Sequence, residues 1–517
     1  MNRFYHSPPL GTPMPDSVHA VSVSLPFWAD VIGYEEKEPR VLDALRACYP
    51  RFVFHPLVRE VFAQAEKEYA KPREKCLVFP SREVAALCGE FIKKGLGIRD
   101  QGLEIYPFPI PNPQSLIPYL LTFPESALPA AKSFWQHTGL IISSRQAEAI
   151  LAGTTPAPAE KEEKTLRERI AMLSGASPAD IYLFPCGMAA IFTAYRVAQS
   201  LLPGEKTIQL GFPYVDTLKI QEKFSSVIPA QAGIHSEAST GGKMDSRLRG
   251  NDGVYFIPDK NANNLSTIKH LLAKEKIAAL FCEFPTNPLL YSIDLEPLSA
   301  LLRRHGVPLI LDDTIATCNA NLLLYADMVA TSLTKSFSGG GDVLGGSLAL
   351  NAASPLYKKL KDKLEELYQN ICYPDDIRVL EKNSCGAETR ILRTNAVAEA
   401  LCDALRIHPK IARIYYPKYT TPEIYNKYKK PGGGYGSLFS LVFKRPEDAQ
   451  EFYDKVDICK GPSFGNRFTL ACPYTLMAHY DELQAVNAWG VASELIRVSA
   501  GLEEPEELIG RFMKGLG

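Results

Sequence analysis

The 517-residue sequence contains no apolar run near the roughly 18 residues needed to cross a bilayer. Its first residues, MNRFYHSPPLGTPMP, lack the apolar core of a secretory signal. No cysteine pair is spaced as CxxC and no HExxH occurs, so neither a zinc site nor a metalloprotease motif is present. Eleven scattered cysteines then read as free thiols of a reducing compartment, and a cytoplasmic location is expected. No excess of charge pulls the chain toward nucleic acid or an anionic membrane, because the formal net charge is -1. No GxGxxG follows the first strand of the main alternation and no GxxxxGK[ST] occurs, which argues against a dinucleotide or nucleotide enzyme.

What is present is a regular alternation. Thr165 to Leu173 reads as helix and Ile181 to Phe184 as strand, followed by a helix from Gly187 to Leu201. Strands follow at Thr207–Leu210, Val254–Ile257, Ala278–Cys282, Pro308–Leu311 and Met328–Ala330. Helices at Asp216–Phe224, Leu265–Glu275 and Leu298–His305 lie between them. This pattern predicts an α/β fold with a mainly parallel sheet covered on both faces. After about residue 385 a long helix, Ala387 to Leu405, precedes strands at Ser437–Phe443 and Leu495–Ser499, the pattern of a smaller α+β domain. The expected boundaries are an N-terminal region at 1–155, a large domain at 156–385 and a small domain at 386–517. Thr154 to Lys164 reads as a solvated linker. Residues 226–253 are rich in Gly, Ser and Ala and interrupt the alternation, so they are expected to be a disordered loop insertion.

Six short motifs bear chemistry. Ser332-Leu-Thr334-Lys335 follows a strand and precedes a glycine cluster. A lysine there can form a Schiff base while the two hydroxyls hold a phosphate, which points to pyridoxal phosphate (PLP). Gly187 and Met188 open a helix directly after a strand, where backbone N–H groups bind phosphate. Tyr214 sits just past the next strand, able to stack on a flat ring or simply to pack. Asn287 precedes a proline and can donate to a ring hydroxyl, or serve only as a turn residue. Asp312 ends a strand, where a buried carboxylate calls for a cation. The pyridinium of PLP, a magnesium ion and a helix N-terminus all satisfy that demand. Arg497 in a strand-like run suits a bidentate grip on a carboxylate, or a surface ion pair.

CGMAAI, the Tyr214 loop, EFPTNP, LDDT, SLTKSFSGGGDVLGG and LIRVSAGLEE, in this order, resemble the Cys/Met metabolism PLP enzymes from about residue 140 onward. The N-terminal VHAVSVSLPFWADVIGYEEKEPRV and YPRFVFHP extend the likeness to the fungal-type cystathionine γ-synthases over nearly the whole chain. The resemblance implies fold type I, PLP as cofactor and amino-acid substrates, with no nucleic-acid or membrane partner. It further implies a homodimer or homotetramer and a γ-replacement joining L-cysteine to an O-acylhomoserine. An O-acylhomoserine sulfhydrylase, a cystathionine lyase and a non-catalytic descendant remain as alternatives.

Carried over by residue, Lys335 forms the Schiff base and moves protons, Asp312 pairs the ring nitrogen and Tyr214 stacks on the ring. Tyr214 could also act as a base if its surroundings lowered its pKa. Gly187, Met188, Ser332 and Thr334 hold the phosphate. Asn287 meets the ring hydroxyl or the substrate carboxylate. Arg497 clamps that carboxylate with Ser463 nearby. The family's Tyr-x-Arg reaches the phosphate of a neighbouring subunit. Here Ile142-Ser-Ser-Arg145 stands at the expected place without its tyrosine, while Tyr49-Pro-Arg51 has the right residues far upstream. Arg145 is the expected phosphate ligand.

Overall fold

A computed structural model describes residues 6–96, 102–109, 117–225, 253–258 and 265–517. Among these, no helix is long and apolar enough to cross a membrane. All eleven cysteines are unpaired. The insertion read at 226–253 lies, save for Gly253, outside the described residues.

Three sheets organise the chain. The first is antiparallel, with β1 (Glu74–Phe79), β2 (Glu104–Pro107) and β3 (Tyr119–Pro124) in the order β1-β3-β2. It belongs to the N-terminal region. Helices Pro56–Tyr69, Arg82–Leu96 and Leu128–Thr138 accompany it. Trp135 is fully buried there, edge-on to Phe54 and Phe62. Such a cluster stabilises through apolar area, with aromatic geometry adding a smaller increment.

The central sheet has seven strands: β4 (Ile181–Phe184), β5 (Lys206–Leu210), β6 (Val254–Ile257), β7 (Ile277–Glu283), β8 (Leu309–Asp312), β9 (Met328–Ser332) and β10 (Gly346–Leu350). Their order is β4-β10-β9-β8-β7-β5-β6. The pairs among β5 to β9 are parallel, whereas β10 runs antiparallel to both β4 and β9. Every residue of β7 is buried, because helices or other elements cover both faces. Helix Gly187–Leu201 is Ala-rich and buried along most of its length, which lets it pack closely on this sheet. The C-terminal sheet holds β11 (Ile411–Tyr415), β12 (Leu438–Phe443), β13 (Cys459–Lys460), β14 (Leu470–Pro473) and β15 (Ile496–Ser499), in the order β11-β12-β15-β14-β13. The strand β10 and helices Tyr357–Leu367 and Pro374–Asn383 were not foreseen.

One boundary needs correction. The run Thr154–Lys164 is not all linker, because helix Glu160–Ser174 already begins at Glu160. Its Lys and Glu residues are good helix formers, and three glutamates in the first turn complement the helix dipole.

The N-terminal arm ties the parts together. Leu25, Val31, Tyr34 and Val41 join the hydrophobic cluster of the C-terminal sheet. Leu25 N–H donates to Lys460 O at 2.9 Å, and Val21 N–H to Gly341 O at 2.9 Å. Beyond this arm, residues 49–55 lead into the antiparallel unit, whose core is continuous with one face of the central sheet.

Candidate active site

The C-terminal ends of β4, β5, β7, β8 and β9 lead respectively to Gly187, Tyr214, Asn287, Asp312 and Lys335. That edge is where an open parallel sheet binds its ligand.

Lys335 is buried, at 7% exposure. Its Nζ donates to Ser463 Oγ at 2.9 Å and to the Tyr49 hydroxyl at 3.3 Å. The same Nζ lies 4.6 Å from the Tyr49 ring centroid and 5.0 Å from that of Phe464. Burial lowers its pKa, with Tyr49 opposing and Arg497 and Arg51 adding to the depression. A partly neutral amine is the form that attacks a carbonyl.

Ser463 holds two functions in one residue. Its hydroxyl meets Lys335, while its carbonyl accepts from Arg497 Nη2 at 3.2 Å. The backbone there is left-handed, with φ 84° at a non-glycine residue. Arg497, carried by β15, also donates from Nη1 to Asn287 Oδ1 at 3.1 Å. Asn287 Nδ2 in turn donates to the Tyr474 hydroxyl at 2.8 Å. Tyr474 was missed in the sequence, where PYTLMAHY offered only an aromatic beside a proline. The Arg497 guanidinium stands 4.4 Å from its ring centroid. A cation held this way presents a fixed fork to a carboxylate.

Asp312 is half-buried and accepts Thr314 N–H at 2.8 Å. Burial raises its pKa, with the Thr314 hydrogen bonds opposing. No salt bridge to a protein cation involves it among the described residues, so a cation from a ligand fits. Glu283 lies directly across from it in the β7–β8 pairing and is pushed well above the carboxylate range by burial and by Asp312. It accepts the Tyr214 N–H at 2.5 Å. Among the described residues, no group of three His, Cys, Asp or Glu side chains could hold a metal ion.

The phosphate side is built by close backbone approach. A Cβ on Gly187 would lie 2.7 Å from Ser332 Cβ, so only glycine lets the helix start so near that strand end. Ser332 stays part-exposed beside it. Thr334 departs from expectation, because its hydroxyl is spent on Gly345, donating to O at 3.3 Å and accepting from N at 3.0 Å. It shapes the loop rather than facing the cradle. Met188 packs its side chain into the core and contributes only backbone.

Arg145, expected at the phosphate of a neighbouring subunit, is engaged by two aspartates within its own chain. Its guanidinium donates to Asp376 Oδ1 at 3.1 Å and to Asp342 O at 2.8 Å. The tyrosine–x–arginine that meets Lys335 is Tyr49-Pro50-Arg51. Arg51 is 2% exposed and donates to the Tyr214 hydroxyl and to Asp216 Oδ2, both at 2.5 Å. Its charge also reaches Cys186 at the start of helix Gly187–Leu201, where it opposes the rise that burial imposes on the thiol. Arg51 therefore stands between Tyr214 and the start of that helix. Tyr214 is no lowered base. Burial first, then Asp216 and two tyrosines, hold its pKa well above 10 despite Arg51. The lowered tyrosine is Tyr49, where Lys335 and Arg51 together outweigh the upward effect of burial.

The profile of the Cys/Met metabolism PLP-dependent enzymes matches residues 253–517. The chain belongs to this family. A second profile, that of the fungal trans-sulfuration enzyme N-terminal domain, matches residues 57–143 and so covers the antiparallel unit. The chain is 34% identical to the cystathionine gamma-synthase-like enzyme iboG2 of Amanita muscaria, covering 98% of this chain and 96% of that one. It is 32% identical to cystathionine gamma-synthase of Neurospora crassa over 98% of each. Among solved structures, cystathionine gamma-lyase from yeast aligns with a TM-score of 0.56 at 23% identity, covering 69% of this chain and 85% of that one. That likeness shows the type I PLP fold. As a member of this family the chain is a PLP-dependent enzyme, and its site fits the cofactor at every end. The glycine-lined helix start suits the phosphate, Asp312 suits the ring nitrogen and Lys335 the aldehyde.

Proposed function

We propose that the protein joins L-cysteine to an O-acylhomoserine by γ-replacement, releasing L-cystathionine and the carboxylic acid. Support comes from one continuous hydrogen-bonded chain, Lys335–Ser463–Arg497–Asn287, linking the reactive amine to the carboxylate clamp. Full-length likeness to proteins named cystathionine gamma-synthase supports the choice of reaction.

PLP, when bound, supplies an electron sink for charge developing on the substrate's carbon skeleton. The backbone at Gly187 and Met188, with Ser332, Tyr49 and Arg51, would hold its phosphate, and Asp312 would pair with the ring nitrogen. Arg497 receives the substrate α-carboxylate, and Asn287 keeps its fork from rotating. Lys335 would hold the cofactor's aldehyde, and its Nζ lies against Ser463 and Tyr49. Its neutral amine then takes the α-proton and returns protons along the skeleton. Ser463 accepts from that amine and steadies it through the transfers. Tyr214 stays protonated, with its hydroxyl held by Arg51, and would stack on the ring. The acyl group leaves from the γ-carbon and the cysteine thiolate takes its place.

The test offers cysteine and sulfide separately with O-acetyl- and O-succinylhomoserine. Cystathionine is the expected product. Homocysteine from sulfide alone would make the protein a sulfhydrylase. Cleavage of cystathionine without acyl-homoserine turnover would make it a lyase. Purified protein lacking cofactor absorbance after PLP loading would remove catalysis altogether.

A further inference from the structure

Arg51 does not stand alone in the site. Asp216 accepts from it through Oδ2, and the other carboxylate oxygen meets His137 Nδ1 at 2.8 Å. Lys223 Nζ lies 2.9 Å from His137 Nε2. An ammonium donating to Nε2 leaves the imidazole proton on Nδ1, pointed at Asp216. Lys223, His137, Asp216, Arg51 and Tyr214 thus form one relay that ends on the ring-stacking hydroxyl. Asp216 is fully buried, and Arg51 and His137 draw its pKa down to about 2 against the upward effect of burial.

The relay joins separate parts of the chain. Arg51 follows the N-terminal arm, and His137 closes helix Leu128–Thr138 of the antiparallel unit. Asp216 and Tyr214 belong to the loop and helix after β5. The antiparallel unit supplies more than the imidazole. Gln136 O accepts from Arg51 Nη1 at 2.8 Å, and Trp135 Nε1 donates to Pro50 O at 3.4 Å. Gly139 ends that helix with φ +65°, and a Cβ there would meet Cys186 Sγ at 2.2 Å. The helix end is thereby seated directly against the start of the phosphate-side helix.

We propose that the antiparallel unit is a positioning domain acting within its own chain. Through Trp135, Gln136 and His137 it holds Tyr49-Pro50-Arg51 in the cofactor site of the same polypeptide, where the family pattern calls for a neighbouring subunit. His137 is a positioning residue that acts through Asp216 and Arg51. This inference rests on the PLP reading of Lys335.

The test mixes subunits and reads cofactor binding rather than turnover. Arg51→Lys keeps a cation against Asp216, so the buried carboxylate stays compensated, yet it loses the fork that reaches Tyr214. It should weaken PLP binding about 10-fold, the loss of one charge-assisted hydrogen bond. Arg51→Lys chains are co-expressed with Lys335→Ala chains under different tags, and mixed oligomers are isolated. Borohydride then fixes PLP on Lys335, which only the Arg51→Lys chain retains. Completion within the chain predicts that labelling follows the weak isotherm of Arg51→Lys alone. Return of Lys335 labelling to the wild-type isotherm would overturn the proposal. If no mixed oligomer forms, a wild-type monomer that labels fully supports it, and a monomer that cannot hold PLP overturns it.

His137 provides the second arm. His137→Leu should shift the isotherm in the same direction as Arg51→Lys, while His137→Asn, which keeps an N–H for Asp216, should restore it. A His137→Leu protein that loses melting temperature but binds PLP normally would assign a purely structural role. Wild-type label on another lysine, or none, would instead defeat the PLP reading itself.

Discussion

The central sheet and the N-terminal region contribute to the same site by different physical means. At the sheet edge, parallel strands end side by side, and each functional group stands at the last residue of its strand or up to four residues past it. Backbone geometry alone brings Gly187, Tyr214, Asp312 and Lys335 together there. The N-terminal region offers no such periodic carrier. It reaches the site through a stretch of irregular chain, and Arg51 is fixed through its own side chain, with the Asp216 and Tyr214 side chains and the Gln136 backbone carbonyl each taking one of its hydrogen bonds. Groups placed by strands tolerate the loss of a neighbour. Groups placed by a buried polar network do not, because a missing partner leaves a desolvated charge unpaired.

Several changes would sharpen that contrast. The largest effect belongs to the sheet edge. Lys335→Ala should lower kcat by about 10³-fold or more, the scale of losing a positioned proton-transfer group, while circular dichroism shows the fold unchanged. Arg497→Lys should cost about 10²-fold in kcat/KM for the amino-acid substrate, since a point charge replaces a fork held by Asn287 and Ser463. A substrate analogue lacking the α-carboxylate should be nearly blind to that change. Turning to the N-terminal region, Trp135→Ala should destabilise by about 3–5 kcal/mol in denaturant unfolding, the scale of emptying a buried aromatic site. It should also weaken PLP binding, because Pro50 loses its donor.

Acid should cost stability at the network, where a carboxylate is held below its free value, and not at the sheet edge, where Asp312 and Glu283 are raised. The Asp216 pKa is about 2 in the fold against 3.8 for the free side chain. Its contribution is therefore fully present above the unfolded value and is lost as pH falls through the folded one. The amount is about 2 kcal/mol by linkage. Asp216→Asn should be less stable than wild type at neutral pH, and the gap should narrow between pH 3.8 and 2.

The smallest effect is expected from removing residues 227–252. A Cβ on Gly253 would lie 2.2 Å from that of Ser225, so the two flanking described residues already touch. They lie at the exit of helix Val215–Lys223 and the entry of β6, away from the strand ends that carry the site. Turnover should change less than about twofold, since closing so short a gap adds little loop entropy.

Much of this was legible in the residues, and what was not has a physical cause. The strand Val254–Ile257 and the helices Gly187–Leu201 and Ala387–Leu405 match their expected bounds, because local periodicity determines them. The antiparallel strand β10 was overlooked, since Gly346-Ser-Leu-Ala-Leu350 follows the glycine cluster closely and resembles loop as much as strand. Arg145 stands at the expected place before the Thr165 helix, and distance along the sequence favours it over Arg51. Residues 57–143 form a folded unit between Arg51 and that helix, and its two ends bring the chain back to nearly the same place. The signal was present in Tyr49-Pro-Arg51 itself, with both residue types at the family's spacing. Periodicity gave no cue to Tyr474 or Ser463, whose positions depend on how the C-terminal sheet docks over Lys335.

The comparison reduces to two arginines. PLP titration of Arg51→Lys and Arg145→Lys, read by cofactor absorbance, tests it most directly. The account predicts that Arg51→Lys binds PLP about 10-fold more weakly and that Arg145→Lys binds it as the wild type does. Weakened binding in Arg145→Lys with an unaffected Arg51→Lys would contradict it.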